Sequence, residues 1–215
     1  MTMRTVMVYK RFERIWHWCQ MALIMTLLVS GFAVRGIHHL VDFRSAVSVH
    51  TLAALCLMVL WLFATFWLFT TGDWRHYLPK REGLLQVARY YAWGIFRGEE
   101  HPYNKLFWRK HNPLQALAYM LLKVVLFPAI WITGIPYLLY NVWREQAPGW
   151  LEPVVWIHVG AAYAILAFVI VHVYLLTTGH SFVAHVKPMV TGYDEVDLTP
   201  AEEAYLQESR IVPMK

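Results

Sequence analysis

Four histidines of this 215-residue chain fall inside long apolar stretches: His17, His50, His158 and His172. An ionisable side chain within a bilayer is costly unless it has a partner, so each marks a functional site by default. Imidazole nitrogen is a common metal ligand and a standard axial ligand of haem iron. Four such ligands make two bis-histidine sites. Zinc or copper suits the pattern less well, because each site would offer two nitrogens and no cysteine or carboxylate to complete a tetrahedral set. The alternative for any single histidine is a core residue bonded to a neighbouring helix.

The elements that must position these residues are helices in lipid. Apolar residues make up 58% of the chain and charged residues 15%, against roughly 45–50% and about 25% in soluble domains. Residues 15–34, 45–72 and 153–179 contain no charged side chain, and 113–142 contains only Lys123. Each stretch exceeds the roughly 20 helical residues needed to cross a hydrocarbon core. The expected fold is therefore all-α: one integral membrane four-helix bundle over residues 1–215, with a tail at 180–215. Glycine-rich nucleotide loops, metalloprotease motifs and catalytic triads are not visible.

Orientation follows from Lys and Arg. The N-terminal segment carries Arg4, Lys10, Arg11 and Arg14, the loop after the second span eight more from Arg75 to Lys110, and the tail Lys187, Arg210 and Lys215. The two opposite loops hold only Arg35, Arg44 and Arg144. The positive-inside rule then places both termini in the cytoplasm. The net charge of +5 reflects topology and anionic lipid, not nucleic acid. The basic start runs straight into a full span, so no cleavable signal is expected.

Alternating helix direction decides which histidines can meet. His17 and His172 fall near the inner face, His50 and His158 near the outer one. His158 and His172 are fourteen residues apart, about 21 Å along one helix and within about 40° of one face. Two stacked irons, and hence a transmembrane electron wire, are the expectation. His38 and His39 could substitute at the outer site, and His180 or His185 at the inner one, but all four lie beyond the span ends.

Lys123 needs a partner: a haem propionate, a quinone oxygen, or a helix carbonyl loosened by Pro128. Arg14, Arg35 and Arg44 are propionate candidates or ordinary interfacial anchors. Cys19 and Cys56 are expected to be buried, unpaired and apolar in role, since no C-x-x-C-H motif is present. Residues 83–96 place Leu84, Val87, Ala88, Tyr91, Ile95 and Phe96 at helical spacing beside Arg89 and Arg97, which predicts an amphipathic inner-surface helix. The acidic stretch 194–208 is expected to be a solvated arm or to dock a soluble partner. A histidine followed about 20 residues later by Thr-Thr-Gly, at His50 and again at His158, hints at duplicated helical hairpins.

With these residues in place, the chain resembles the bacterial di-haem cytochrome b family of b561-like subunits, which serve membrane nickel–iron hydrogenase, formate dehydrogenase and thiosulfate reductase. The resemblance rests on Arg14-Ile15-Trp16-His17-Trp18, His50, Asn112-Pro113-Leu114-Gln115, His158 and His172. Residues 74–102 and 178–185 look closest to the thiosulfate-reductase-like branch. The resemblance implies two b-type haems in the bacterial inner membrane. It implies electron exchange with a quinone (menaquinone or ubiquinone) near the inner haem. Near the outer haem it implies a periplasmic hydrogenase, molybdoenzyme, iron–sulfur protein or multihaem cytochrome c. By the same likeness Asn112 and His172 lie beside the quinone. Gln115 is a further polar group at that boundary, and His111 a candidate proton relay. Asn112 can equally cap the helix that Pro113 begins. The alternative function is a stand-alone b561-type oxidoreductase acting on a small donor such as superoxide.

Overall fold

A computed structural model describes residues 2–102, 110–143, 145, 149–178 and 182–209. In chain order it contains β1 (Thr2–Met7), α1 (Arg11–Val34), α2 (Phe43–Thr71), α3 (Leu84–Ala92), α4 (Pro113–Leu121), α5 (Phe127–Leu138), α6 (Tyr140–Trp143), α7 (Leu151–Leu176), α8 (Phe182–Thr191), β2 (Tyr193–Leu198) and α9 (Pro200–Ser209). Four helical stretches are long and apolar enough to cross a membrane: α1, α2, the continuous run Pro113–Leu138, and α7. The fold is the expected all-α membrane bundle. The third span stops at Leu138 rather than residue 142, because Leu139 leaves helical geometry before the single turn of α6. His180 lies outside the described residues.

The chain divides into two compact units. The first, Ile15–Thr71 with Leu121–Val173, holds most of the apolar length. Its core gathers Ile24, Leu28, Leu57, Leu122, Phe127 and Ile165. Trp61 and Trp131 meet edge to face there at 4.8 Å. The outward faces are as apolar as the core, with Phe66 68% and Ile132 71% exposed, as expected where the solvent is lipid. Cys19 and Cys56 correct the expectation of burial: both are free and exposed, on helix faces where lipid accepts a small apolar thiol as readily as a core does.

The third span changes pitch midway. Residues Leu122–Leu126 adopt the wider π-helical turn, and the Phe127 N–H donates to the Leu122 carbonyl five residues back. Pro128 follows at once and has no N–H to return to Val124. The widened turn carries Lys123.

The second unit, Met1–Arg14 with Gly72–Met120 and Tyr174–Lys215, has its own small core. Strands β1 and β2 pair antiparallel from Thr2↔Leu198 to Met7↔Tyr193. Val6, Val196, Leu198 and Leu206 are buried between the strands and α9. Thr199 and Glu202 form a reciprocal cap at the start of α9, with Thr199 N–H donating to Glu202 Oε2 at 2.8 Å and Glu202 N–H to Thr199 Oγ1 at 3.3 Å. The acidic segment is thus folded against the N-terminal strand instead of standing free in solvent. Helix α3 is amphipathic as expected, with Val87 buried and Leu85 83% exposed. It ends at Ala92, where Trp93 leaves helical geometry.

Glu13 ties this unit together. It accepts the Lys10 backbone N–H at 2.8 Å and both carboxylate oxygens accept Lys110 Nζ, at 2.7 and 2.8 Å. Both side chains of the pair are under 10% exposed. Lys10 Nζ reaches Asp73 at 2.9 Å. Burial, with Glu13 close by, pushes the Tyr9 and Tyr77 phenols far above their ordinary range, so both stay protonated at any working pH. Removing one member of a buried pair strands the other charge. Glu13→Gln should therefore cost about 3–5 kcal/mol and lower the thermal midpoint in detergent. Glu13→Gln with Lys110→Met should recover most of that loss.

Candidate functional site

The four span histidines meet in two pairs within the bundle unit. The His17 and His172 rings stand 6.4 Å apart between centroids, and those of His50 and His158 stand 6.3 Å apart. Each of His50 and His158 lies about two turns into its helix, which sets their common depth.

Serine and threonine hydroxyls define the chemistry of the second pair. Ser30 Oγ donates to the Thr26 carbonyl at 2.7 Å and lies 3.0 Å from His50 Nδ1. Thr133 Oγ1 donates to the Ala129 carbonyl at 2.6 Å and lies 2.9 Å from His158 Nδ1. A hydroxyl that gives its one hydrogen to its own helix leaves its oxygen to accept the imidazole Nδ1–H, and that arrangement sets the tautomer. Nε2 of each ring is left with an unshared lone pair, as a ligating histidine requires.

A glycine follows each hydroxyl and makes room for the ring. A Cβ at Gly31 would stand 3.2 Å from His50 Cε1, and one at Gly134 would stand 3.3 Å from His158 Cε1. Ser30-Gly31 thus serves His50 as Thr133-Gly134 serves His158. Sequence reasoning missed these four residues. The signal was present as two hydroxyl–glycine dipeptides, each on the span preceding a histidine.

The first pair is built differently. Trp18 meets His17 edge on at 5.3 Å, and Phe168 stacks on His172 at 5.7 Å and 9° between planes. His17 Nδ1 is buried without a hydrogen-bond partner. Lys123 Nζ sits 3.9 Å from the centroid of the Trp16 ring, one residue before His17.

The other candidates are placed as follows. Asn112 is buried and caps α4: its Oδ1 accepts the Gln115 N–H at 2.8 Å, while Gln115 Oε1 accepts the Asn112 N–H at 3.1 Å. Asn112 Nδ2 donates to the Tyr91 hydroxyl at 3.3 Å. Burial raises the Tyr91 phenol above its ordinary range. The His111 ring lies between Tyr77 at 5.2 Å and Tyr119 at 4.8 Å. Arg14 bonds the Val190 carbonyl rather than any histidine. Arg35 lies 5.3 Å from the Trp156 ring, and Arg44 is exposed at the start of α2. His38 Nε2 is engaged by the Val29 carbonyl at 2.9 Å, which removes it as a substitute ligand in this arrangement. His185 lies on α8, in the second unit.

The donor set fits a haem. A metal–imidazole bond of about 2 Å plus about 1 Å to the ring centre puts two imidazoles flanking one metal about 6 Å apart, close to both observed separations. Among the described residues no group of three or more His, Cys, Asp or Glu gathers to hold a metal ion, so each level offers two ligands only. A planar cofactor that fills the other four positions is what such a pair suits.

This architecture belongs to the class of membrane-bundle cytochromes. Residues 8–192 match the family model described as prokaryotic cytochrome b561. The chain is also 33% identical over 196 residues, 87% of its length and 74% of the relative's, to the Escherichia coli (strain K12) protein named "Putative cytochrome YdhU". It belongs to the prokaryotic cytochrome b561 family, whose members bind b-type haem and move electrons across a membrane.

The close approach at the two glycines can be tested directly. Gly31→Val and Gly134→Val should each overpack against an imidazole and cost about 1–3 kcal/mol. Gly160→Val, where nothing lies within 4 Å, should be near neutral. Thermal unfolding of the three variants in detergent separates them.

Proposed function

We propose that this chain is a di-haem subunit that carries electrons between a quinone in the membrane and a periplasmic redox protein. The observation that carries the reading is the presence of two imidazole pairs at matched separations, 6.4 and 6.3 Å, on helices that bring them to two depths. His17 with His172, and His50 with His158, would hold the two haems, and each iron would supply reversible one-electron transfer. Ser30 and Thr133 hold the tautomers of the second pair, and Phe168 orients His172 by stacking. Ile24, Leu28, Ile165 and Trp131 keep water from the space along the bundle.

Charge distribution supports an inner-membrane location with both termini cytoplasmic. The His17/His172 level then lies toward the cytoplasm and the His50/His158 level toward the periplasm. Quinone chemistry is assigned to the start of α4. There Asn112 Nδ2 and the Tyr91 hydroxyl would offer hydrogen-bond donors to a quinone oxygen, and His111, flanked by Tyr77 and Tyr119, would pass a proton. The capping and quinone roles of Asn112 use different atoms, so both stand together. A hydrogenase, molybdoenzyme, iron–sulfur protein or multihaem cytochrome c is the class of partner proposed at the outer side.

Haem content and reduced-minus-oxidised spectra test the ligand pairs. His50→Ala and His158→Ala should lose the same haem, and His17→Ala and His172→Ala the other, leaving one b haem in each case. Loss of the same haem from His17→Ala and His158→Ala would overturn the pairing. For the quinone site, Asn112→Asp keeps the capping oxygen and removes the N–H donors. It should slow reduction by a quinol analogue about tenfold or more, about 1.4 kcal/mol of lost transition-state interaction, with both haems retained. Co-purification with a periplasmic redox protein separates this reading from a stand-alone cytochrome with a small donor.

A further inference from the structure

We propose that Ser30 and Thr133 set the reduction potential of the His50/His158 site, acting through the two imidazoles to hold it below the value that unbonded rings would give. The proposal rests on the di-haem reading above and deepens it. Both are positioning residues: they touch the ligand rings and not the iron.

Their placement is selective. Among the described residues of the bundle unit, Ser30 and Thr133 are the two buried hydroxyl, amide or charged side chains, at 3% and 5% exposure. Both lie against a histidine of another helix, Ser30 on α1 against His50 on α2 and Thr133 on α5 against His158 on α7. Each meets the same ring atom, Nδ1, at 3.0 and 2.9 Å.

The rings are held as well as touched. Next to each Nδ1, the Cε1 edge faces a glycine, where a Cβ would stand 3.2 Å away at Gly31 and 3.3 Å away at Gly134. Two adjacent atoms of each imidazole are thereby fixed by one hydroxyl–glycine dipeptide.

The hydrogen bond has an electronic consequence of definite sign. When Nε2 binds iron, the ring proton sits on Nδ1 and the hydroxyl oxygen accepts it. The hydroxyl's own hydrogen goes to the Thr26 or Ala129 carbonyl, at 2.7 and 2.6 Å. Drawing the N–H outward leaves more electron density on the ring, so Nε2 becomes the stronger donor. A stronger donor favours ferric over ferrous iron and lowers the midpoint potential. Reduction adds one electron at the iron, and the Nδ1 proton stays on the ring in both states. The two bonds act in the same direction on one metal. At the other level His17 Nδ1 is buried without a hydrogen-bond partner, so that ring lacks this influence.

Redox titration of the purified protein, followed by visible spectroscopy, tests this. His50→Ala, which removes the His50/His158 haem, identifies that site's midpoint. Thr133→Val puts a methyl in place of one hydroxyl, and Ser30→Ala removes the other. Each should move the midpoint to a more positive potential, leave the His17/His172 midpoint unchanged and retain two haems. The double variant should move further than either single one, and Thr133→Ser should stay near the wild type. An unmoved midpoint or a negative shift in either single variant would overturn the proposal. So would a parallel shift of both haems, or a shift in Thr133→Ser as large as that in Thr133→Val. Loss of the haem from either single variant would overturn it too, since the hydroxyl would then serve binding and not potential. In all of these results the wild-type protein still carries two haems and the di-haem reading stands. Wild-type protein with no haem at the His50/His158 level would instead overturn that reading and this proposal with it.

Discussion

An imidazole in hydrocarbon has two ring nitrogens, and leaving either without a partner is costly. This constraint organises the bundle more than helix propensity or apolar patterning does. Along α2 and α7 nearly every residue is apolar, so nothing in hydropathy chooses which face turns inward. The histidines make the choice. His50 is satisfied by Ser30 only if α1 and α2 approach at one rotation, and His158 by Thr133 only if α5 and α7 do the same. Glycine next to each hydroxyl removes the side chain that would hold the rings away. Specificity in this part of the fold comes from a few polar contacts in a medium where leaving one unmade costs most.

The surroundings of His50 and His158 are therefore built twice by the same means, while those of His17 and His172 are built from unlike parts. His17 comes from the start of α1 and His172 from the end of α7, with Trp18 and Phe168 against their rings. Two hairpins with a shared ancestor or shared solution would give the first pattern.

Much of this was legible in the residues. The four spans followed from hydropathy, and the histidine pairs from helix direction and the rise per residue. Asn112-Pro113-Leu114-Gln115 announced its cap, since an amide three residues before a glutamine is a known start signal. The hydroxyl–glycine partners were not legible, because Ser30-Gly31 and Thr133-Gly134 matter only through the rotation of neighbouring helices. Pro128 hinted at a loosened carbonyl, but the wide turn at Leu122–Leu126 depends on packing that one helix does not encode alone. The tail was misjudged for a different reason. Six residues from Tyr193 to Leu198, three of them acidic, read as solvated chain until β1 supplies a partner nearly two hundred residues away.

That strand pair has a topological consequence. Because Thr2–Met7 and Tyr193–Leu198 share one sheet, the chain must re-emerge on the side of the membrane from which it entered, so the number of crossings has to be even. The sheet also acts as a latch on biogenesis: β1 is synthesised first and stays without its mate until the last helix has been inserted. A chain halted before Tyr193 would carry all four spans and still leave β1 without its mate.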